Sequence, residues 1–199
     1  VNAGRLLLRH ELRLLAALGR WASRRPAALP QGSVAFGYAR GQGAPMAGLG
    51  CVCVVETLML SVLLRGRPTV HHVVLVLDVY AVVLVVALHA SSVVYPHVLD
   101  PGAGTLRVRR SLHVDLVVPL ERVVSVRREL RTTHERREGA LDVVVGAQTS
   151  VTLELAGTVR HVTFLGRRRE VGVVRLHADD PAALVRAVVA ARDGLAGPA

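Results

Sequence analysis

The sequence predicts a membrane α-helical hairpin joined to an α+β domain, the latter a bent antiparallel sheet or barrel of about seven strands closed by a C-terminal helix. Three observations carry that expectation. Two apolar arms, Met46 to Leu64 and Val73 to Val94, are separated by a polar link. Beyond Pro96 the apolar residues recur with period two. The final segment carries the cap and apolar face of a helix.

Each arm is about as long as the roughly 20 apolar residues that cross a hydrocarbon layer of about 30 Å. The link Arg65-Gly66-Arg67-Pro68-Thr69-Val70-His71-His72 is turn-prone, so the arms read as two antiparallel transmembrane helices. Within them lie Glu56, Asp78, Tyr80 and His89. An ionised carboxylate at mid-bilayer costs about 2.5–3.5 kcal/mol on insertion scales, so both acids are expected to be protonated or to face protein. Two readings follow: a proton or cation path through an oligomer, or hydrogen-bonded acids that fix helix packing, for example Glu56 with Tyr80. Two helices alone cannot line a pore, which favours packing. Cys51 and Cys53, two apart on a helix, share no face for a disulfide or a metal.

Ahead of the hairpin, residues 1–45 read as a basic amphipathic helix and a Gly/Pro linker. Arg5, Arg9 and Arg13 repeat along one side, with Leu8, Leu12 and Leu15 on another and Trp21 at the end. Such a helix either lies on anionic lipid or packs on the protein's own hairpin. Phe36 and Tyr38 suit an interfacial aromatic belt. Gly41-Gln42-Gly43 lacks the preceding strand and third glycine of a dinucleotide site.

Residues 96–199 form the β-rich part. The expected strands are Thr105 to Arg110, His113 to Val118, Val123 to Glu129, Leu141 to Val145, Ser150 to Ala156, Val159 to Leu165 and Glu170 to Ala178, with turns at Pro101 to Gly104, Ala156 to Thr158 and Gly166 to Arg169. In the last segment the Asp179-Asp180 cap precedes Pro181, and Leu184, Val185, Val188 and Val189 form one face of a closing helix.

The runs Leu106-Arg-Val-Arg109, Val118-Pro-Leu-Glu-Arg-Val-Val-Ser-Val126, Val151-Thr-Leu-Glu-Leu155 and Val173-Val-Arg-Leu-His-Ala-Asp-Asp-Pro-Ala-Ala-Leu-Val185 resemble a bacterial pleckstrin-homology-like (PH-like) domain. The stretch from Phe36 to Arg192 is similar to uncharacterised actinobacterial integral membrane proteins, which share segments like Phe36-Gly-Tyr-Ala-Arg-Gly-Gln-Gly43 and Leu165-Gly-Arg-Arg-Arg169. That resemblance implies a fold and a membrane location, and no reaction.

The chemistry in the chain is sparse. No Gly-x-Ser-x-Gly elbow occurs, both cysteines lie in an apolar arm, and all 25 basic residues are arginine. His113 and Asp115 share a strand face and could form a base with its orienter, although such strand pairs are usually polar side chains facing solvent. His71-His72 lacks a third metal ligand nearby. No enzyme activity, cofactor or metal is expected. The net charge of +10 suits nucleic acid in a soluble protein, but aromatic residues are only 3% of the chain, which leaves little for base stacking. Nucleic acid is therefore not an expected partner; anionic lipid is.

The candidate ligand-binding residues are the arginines that flank the long charged loop Arg131 to Gly139, namely Arg127, Arg128, Arg131, Arg136 and Arg137, and those of the Gly166 to Arg169 turn, Arg167, Arg168 and Arg169. Together they would form a basic rim for a lipid headgroup or an acidic partner. The expectation is thus a non-catalytic, plasma-membrane binding or scaffolding protein with both termini cytoplasmic, partnered by the bilayer and by a protein or a second copy through its hairpin. Its alternative is a subunit of a proton- or ion-coupled membrane complex using Glu56 and Asp78.

Overall fold

A computed structural model describes residues 3–25, 28–133, 137–163 and 168–196. Four helices and eight strands lie in these residues. Helix α1 (Ala3–Ala22) precedes a short strand β1 (Val34–Phe36), and the hairpin helices α2 (Gly43–Leu63) and α3 (Pro68–Val94) follow. Both hairpin helices are long and apolar enough to cross a membrane. Proline suits the first turn of a helix because it has no N–H to leave unbonded, so α3 starts at Pro68 and takes in residues expected in the link. The ring of His72 bonds the Pro68 carbonyl at 2.6 Å within that first turn.

Helix α1 packs along α3. The side turned inward carries Leu14 and Ala17, both buried, and not Leu8, Leu12 and Leu15, which are exposed. Of the two sequence readings for α1, packing on the protein's own hairpin is the one observed.

The remaining strands are β2 (His97–Asp100), β3 (Thr105–Arg110), β4 (Val114–Pro119), β5 (Val123–Arg131), β6 (Ala140–Val143), β7 (Thr149–Val162) and β8 (Arg168–Leu176), and α4 (Pro181–Ala196) ends the fold. They form two four-stranded sheets, β1-β2-β3-β4 and β5-β7-β8-β6. Neither is a closed barrel. The first is an antiparallel meander, while in the second β6 runs parallel to β8, with Ala140 opposite Val173. The antiparallel expectation fails there because β7 intervenes in the chain between β6 and β8, so the two paired strands are joined by a crossover and not by a hairpin.

Two further departures have local causes. The turn expected at Ala156 to Thr158 is instead a register shift inside one long strand, β7. Gly157 sits there at φ +82°, a conformation open to glycine that bends the strand without ending it. Arg168 and Arg169, expected in a turn, begin β8 opposite Val162 and His161.

Strand β1, inside the stretch read as linker, decides the architecture. It pairs antiparallel with β2, setting Val34 opposite Leu99 and Phe36 opposite His97. The chain therefore leaves the first sheet to make the hairpin and returns to the neighbouring strand of that sheet. Both ends of the hairpin are held at one sheet edge.

Between the sheets lies a core that includes Leu106, Leu116, Leu153, Leu176 and Leu184, each almost wholly buried. The alternation of β3, with Leu106 and Val108 inward and Arg107 outward, supplies part of it. Helix α4 starts where the Asp180 carboxylate accepts the Ala183 N–H at 2.9 Å, and it buries Leu184 and Val188 against the sheets. Truncating any of these leucines to alanine costs about 2–5 kcal/mol in comparable cores.

Candidate functional site

The densest buried polar network lies where the hairpin meets the sheets, and it is built by residues 37–43. Tyr38, expected in an aromatic belt, is fully buried. Its Oη accepts the Ser111 backbone N–H at 2.6 Å and lies within hydrogen-bonding reach of the Ser92 hydroxyl. Burial of the phenol pushes its pKa up to about 12, so it stays neutral. Ser111 occupies φ +50°, unusual for a residue with a Cβ, and its side chain bonds the Ser91 hydroxyl near the end of α3.

The Tyr38 ring lies 4.8 Å, centroid to centroid, from that of His97. His97 Nδ1 accepts the Arg109 backbone N–H at 3.0 Å. Its Nε2 therefore carries the proton and donates to the His177 carbonyl at 2.9 Å. Both nitrogens are satisfied only in the neutral ring, and burial lowers the pKa to about 4.

Glycine is required here by contact. The Gly37 carbonyl accepts the Asp179 N–H at 2.8 Å, and a Cβ on Gly37 would stand 2.8 Å from Asp179 Oδ2. Asp179 Oδ1 in turn accepts the Arg40 N–H at 3.1 Å. A Cβ on Gly146, at φ +57°, would meet the Gly41 carbonyl oxygen at 2.7 Å. Gly37 and Gly146 thus let the chain pass close to the start of α4 and the Val145–Gln148 turn, Gly41 lies against His177, and Gly43 has open space around it. The signal was visible as Gly37-Tyr-Ala-Arg-Gly-Gln-Gly43, but its partners were not.

The expected basic rim is divided between two edges of the second sheet. On β5, alternation places Ser125, Arg127, Glu129 and Arg131 on one face. Arg127 Nη1 bonds Glu154 Oε1 at 2.6 Å, and both Arg127 and Arg131 lie 3.4 Å from Glu129. These arginines are neutralised within the fold. Arg128 is exposed on the same strand. At the other edge, Arg137 and Arg169 line a groove of about 400 Å³ together with Glu138 and Glu170. Arg168 is exposed beside it, while Arg136 and Arg167 lie outside the described residues.

The hydrogen bond expected between Glu56 and Tyr80 is not found among the described residues. Glu56 is exposed on α2 between Val52, Val55 and Met59. Asp78 is half-buried on α3, with Oδ2 enclosed and without a hydrogen-bond partner. The Tyr80 hydroxyl lies beside Glu11 of α1, and among the described residues it makes no bond to Glu56. His89 meets Trp21 edge-on at 6.3 Å, and its Nδ1 is likewise enclosed without a partner.

His113 and Asp115 do not form a dyad. Asp115 is held by Arg107 in a two-pronged pair, at 2.7 and 2.5 Å, which keeps its carboxyl below the usual range despite the opposing effect of burial. His113 instead meets the His10 ring at 4.7 Å. Among the described residues no group of three or more histidines, cysteines or acids is placed to hold a metal ion.

Comparison with family models, with curated proteins and with solved structures returns no match to this chain.

Proposed function

We propose that the protein is a non-catalytic, plasma-membrane binding or scaffolding protein whose hairpin holds a PH-like domain at the cytoplasmic face. The observation that carries this reading is the β1–β2 pairing with the Tyr38–Ser111 bond behind it. Two long apolar helices leave and re-enter one sheet edge, so the domain is fixed to the hairpin and not hung from it on a linker. A weak site fixed beside its target works at high effective concentration. The PH-like assignment is supported by element order: an antiparallel meander, a second sheet, and a C-terminal helix packed on the core. Cytoplasmic termini are supported by Arg40, Arg107, Arg109 and Arg110 near the sheet side of the helices, against Arg65 and Arg67 in the link.

Ligand contact falls to the exposed arginines Arg128, Arg168 and Arg169, because Arg127 and Arg131 are already paired. The test measures recruitment of an acidic partner, or of phosphatidylglycerol vesicles, by full-length protein and by the variant R128Q/R168Q/R169Q. Unchanged recruitment would sink this assignment.

The hairpin partner we propose is a second copy. Glu56 sits on an apolar strip where lipid offers no hydrogen bond, whereas two-fold packing of α2 sets two Glu56 side chains against each other and away from lipid. A second reading, an ion- or proton-coupled complex, is favoured by the partnerless Asp78 Oδ2. It predicts that Asp78→Asn abolishes a proton-dependent signal in reconstituted vesicles while the fold remains.

A further inference from the structure

A cleft of about 230 Å³ lies between α1 and the turn joining β3 to β4. Helix α1 presents Arg9, His10 and Arg13 to it, and the turn presents His113. Arg9 and Arg13, one helical turn apart, are exposed and make no ion pair among the described residues. The acid in the cleft wall, Asp115, is already held by Arg107, with Arg109 at 3.8 Å. Its charge is thus answered from the sheet side, and the cleft keeps a positive excess. The two histidines, 4.7 Å apart between ring centroids, bring one imidazole from each wall, His10 from α1 and His113 from the turn. Two guanidinium forks facing imidazoles suit a tetrahedral oxyanion.

The location selects the source of that anion. Ser111, at the start of the turn, bonds Ser91 close to the end of the second apolar helix, so the turn wall of the cleft adjoins that helix end while its α1 wall runs along the same helix toward Tyr80. Leu8 and Leu12, exposed next to Arg9 and Arg13, give an acyl chain an apolar surface adjoining the charges.

We propose that this cleft binds a phosphate group, delivered as the headgroup of an anionic lipid. The inference rests on the membrane-anchored reading above but assigns the contact to Arg9 and Arg13 of α1 and to the β3–β4 turn, and not to Arg128, Arg168 or Arg169, although Val162 of β7, which pairs with Arg168, also lines the cleft.

The full chain is reconstituted in nanodiscs of phosphatidylcholine with a minor share of phosphatidylglycerol, and retained lipid is counted by native mass spectrometry. The wild type should enrich phosphatidylglycerol. The variant R9Q/R13Q should lose that enrichment by about tenfold or more, since two charge-assisted contacts are removed. R9K/R13K, which keeps both charges, should retain part of it, with hydrogen exchange of α1 verifying that the helix stays docked. Equal enrichment in wild type and R9Q/R13Q overturns the proposal, as does a lysine variant as defective as the glutamine one. Loss in R128Q/R168Q/R169Q with full retention in R9Q/R13Q overturns the cleft and leaves the second-sheet reading standing. A parallel arm titrates inorganic phosphate into phosphatidylcholine-only nanodiscs and follows it by phosphorus NMR. Arginine-dependent phosphate uptake without phosphatidylglycerol enrichment would make this a free-phosphate site and overturn the lipid assignment.

Discussion

Tyr38 Oη and the Ser111 N–H, 73 residues apart in sequence, meet at 2.6 Å in a buried site and tie the chain entering the hairpin to the turn beside its exit. The bond holds a non-glycine residue at positive φ and satisfies an amide that has no ladder partner there. Removal of the hydroxyl in Tyr38→Phe leaves that amide buried and unbonded, at a cost of about 1–3 kcal/mol. Chemical denaturation of the detergent-solubilised chain should show the loss, and hydrogen exchange should show it concentrated at Ser111. A stability equal to wild type would mean that the bond contributes nothing.

The glycines of the junction should differ sharply from those of the hairpin. In Gly146→Ala the new methyl meets the Gly41 carbonyl at 2.7 Å in a left-handed backbone, whereas Gly48 has open space around it. The first change should destabilise by at least about 1–2 kcal/mol from the backbone strain, before the clash is counted. Gly48→Ala, within α2, should be neutral or gain up to about 1 kcal/mol from helix propensity. Thermal unfolding of both variants side by side checks the contrast.

Acid should loosen the junction in a defined window. His97 is neutral in the fold with a pKa near 4, against an ordinary 6.5. Between those values the unfolded chain binds a proton that the folded chain refuses, so stability falls as pH falls. The contribution is complete above pH 6.5 and its loss is finished near pH 4, amounting to about 3 kcal/mol. His161 and His177 are pushed in the same direction by burial, so each also adds to the loss of stability as pH falls below the ordinary histidine range. His97→Gln should therefore flatten only part of the slope in a pH series of denaturation midpoints. An identical slope would rule His97 out as a contributor.

Self-association through α2 should depend on Glu56. Glu56→Gln keeps a donor and an acceptor and should still dimerise, whereas Glu56→Leu should weaken the dimer by about fivefold to tenfold, the scale of a hydrogen bond between helices in lipid. Förster transfer between labelled copies in liposomes, diluted with lipid, gives the dissociation constant. Equal association of Glu56→Leu and wild type would remove the carboxyl pair from the interface.

Much of the β region was legible because its cause is local. Thr105–Arg110 alternates strictly and is a strand with the expected bounds, and the Asp180 cap with Pro181 starts α4 where those residues stand. The failures were places where distance decided. Val34–Phe36 is too short to show a period, so its role as partner of β2 could not be read. Ala156-Gly157-Thr158 has the composition of a turn, yet pairing of β7 with β8 on both sides of Gly157 carries the strand through. The arginines were counted as one rim because sequence lists charges without their neighbours. Ser125, Glu129, Thr152 and Glu154 turned two of them into a closed surface network.

The sequence by itself determined two long apolar helices, a Val-rich set of strands and a capped final helix, because apolar length, side-chain period and helix caps act over a few residues at a time. Only the tertiary structure decided that both ends of the hairpin belong to one sheet edge, that Tyr38 and His97 are neutral buried partners, and that α1 brings Arg9, His10 and Arg13 to face His113. Those outcomes depend on burial and on contacts between segments far apart in the chain. A residue's charge and partners are set by what folding places beside it.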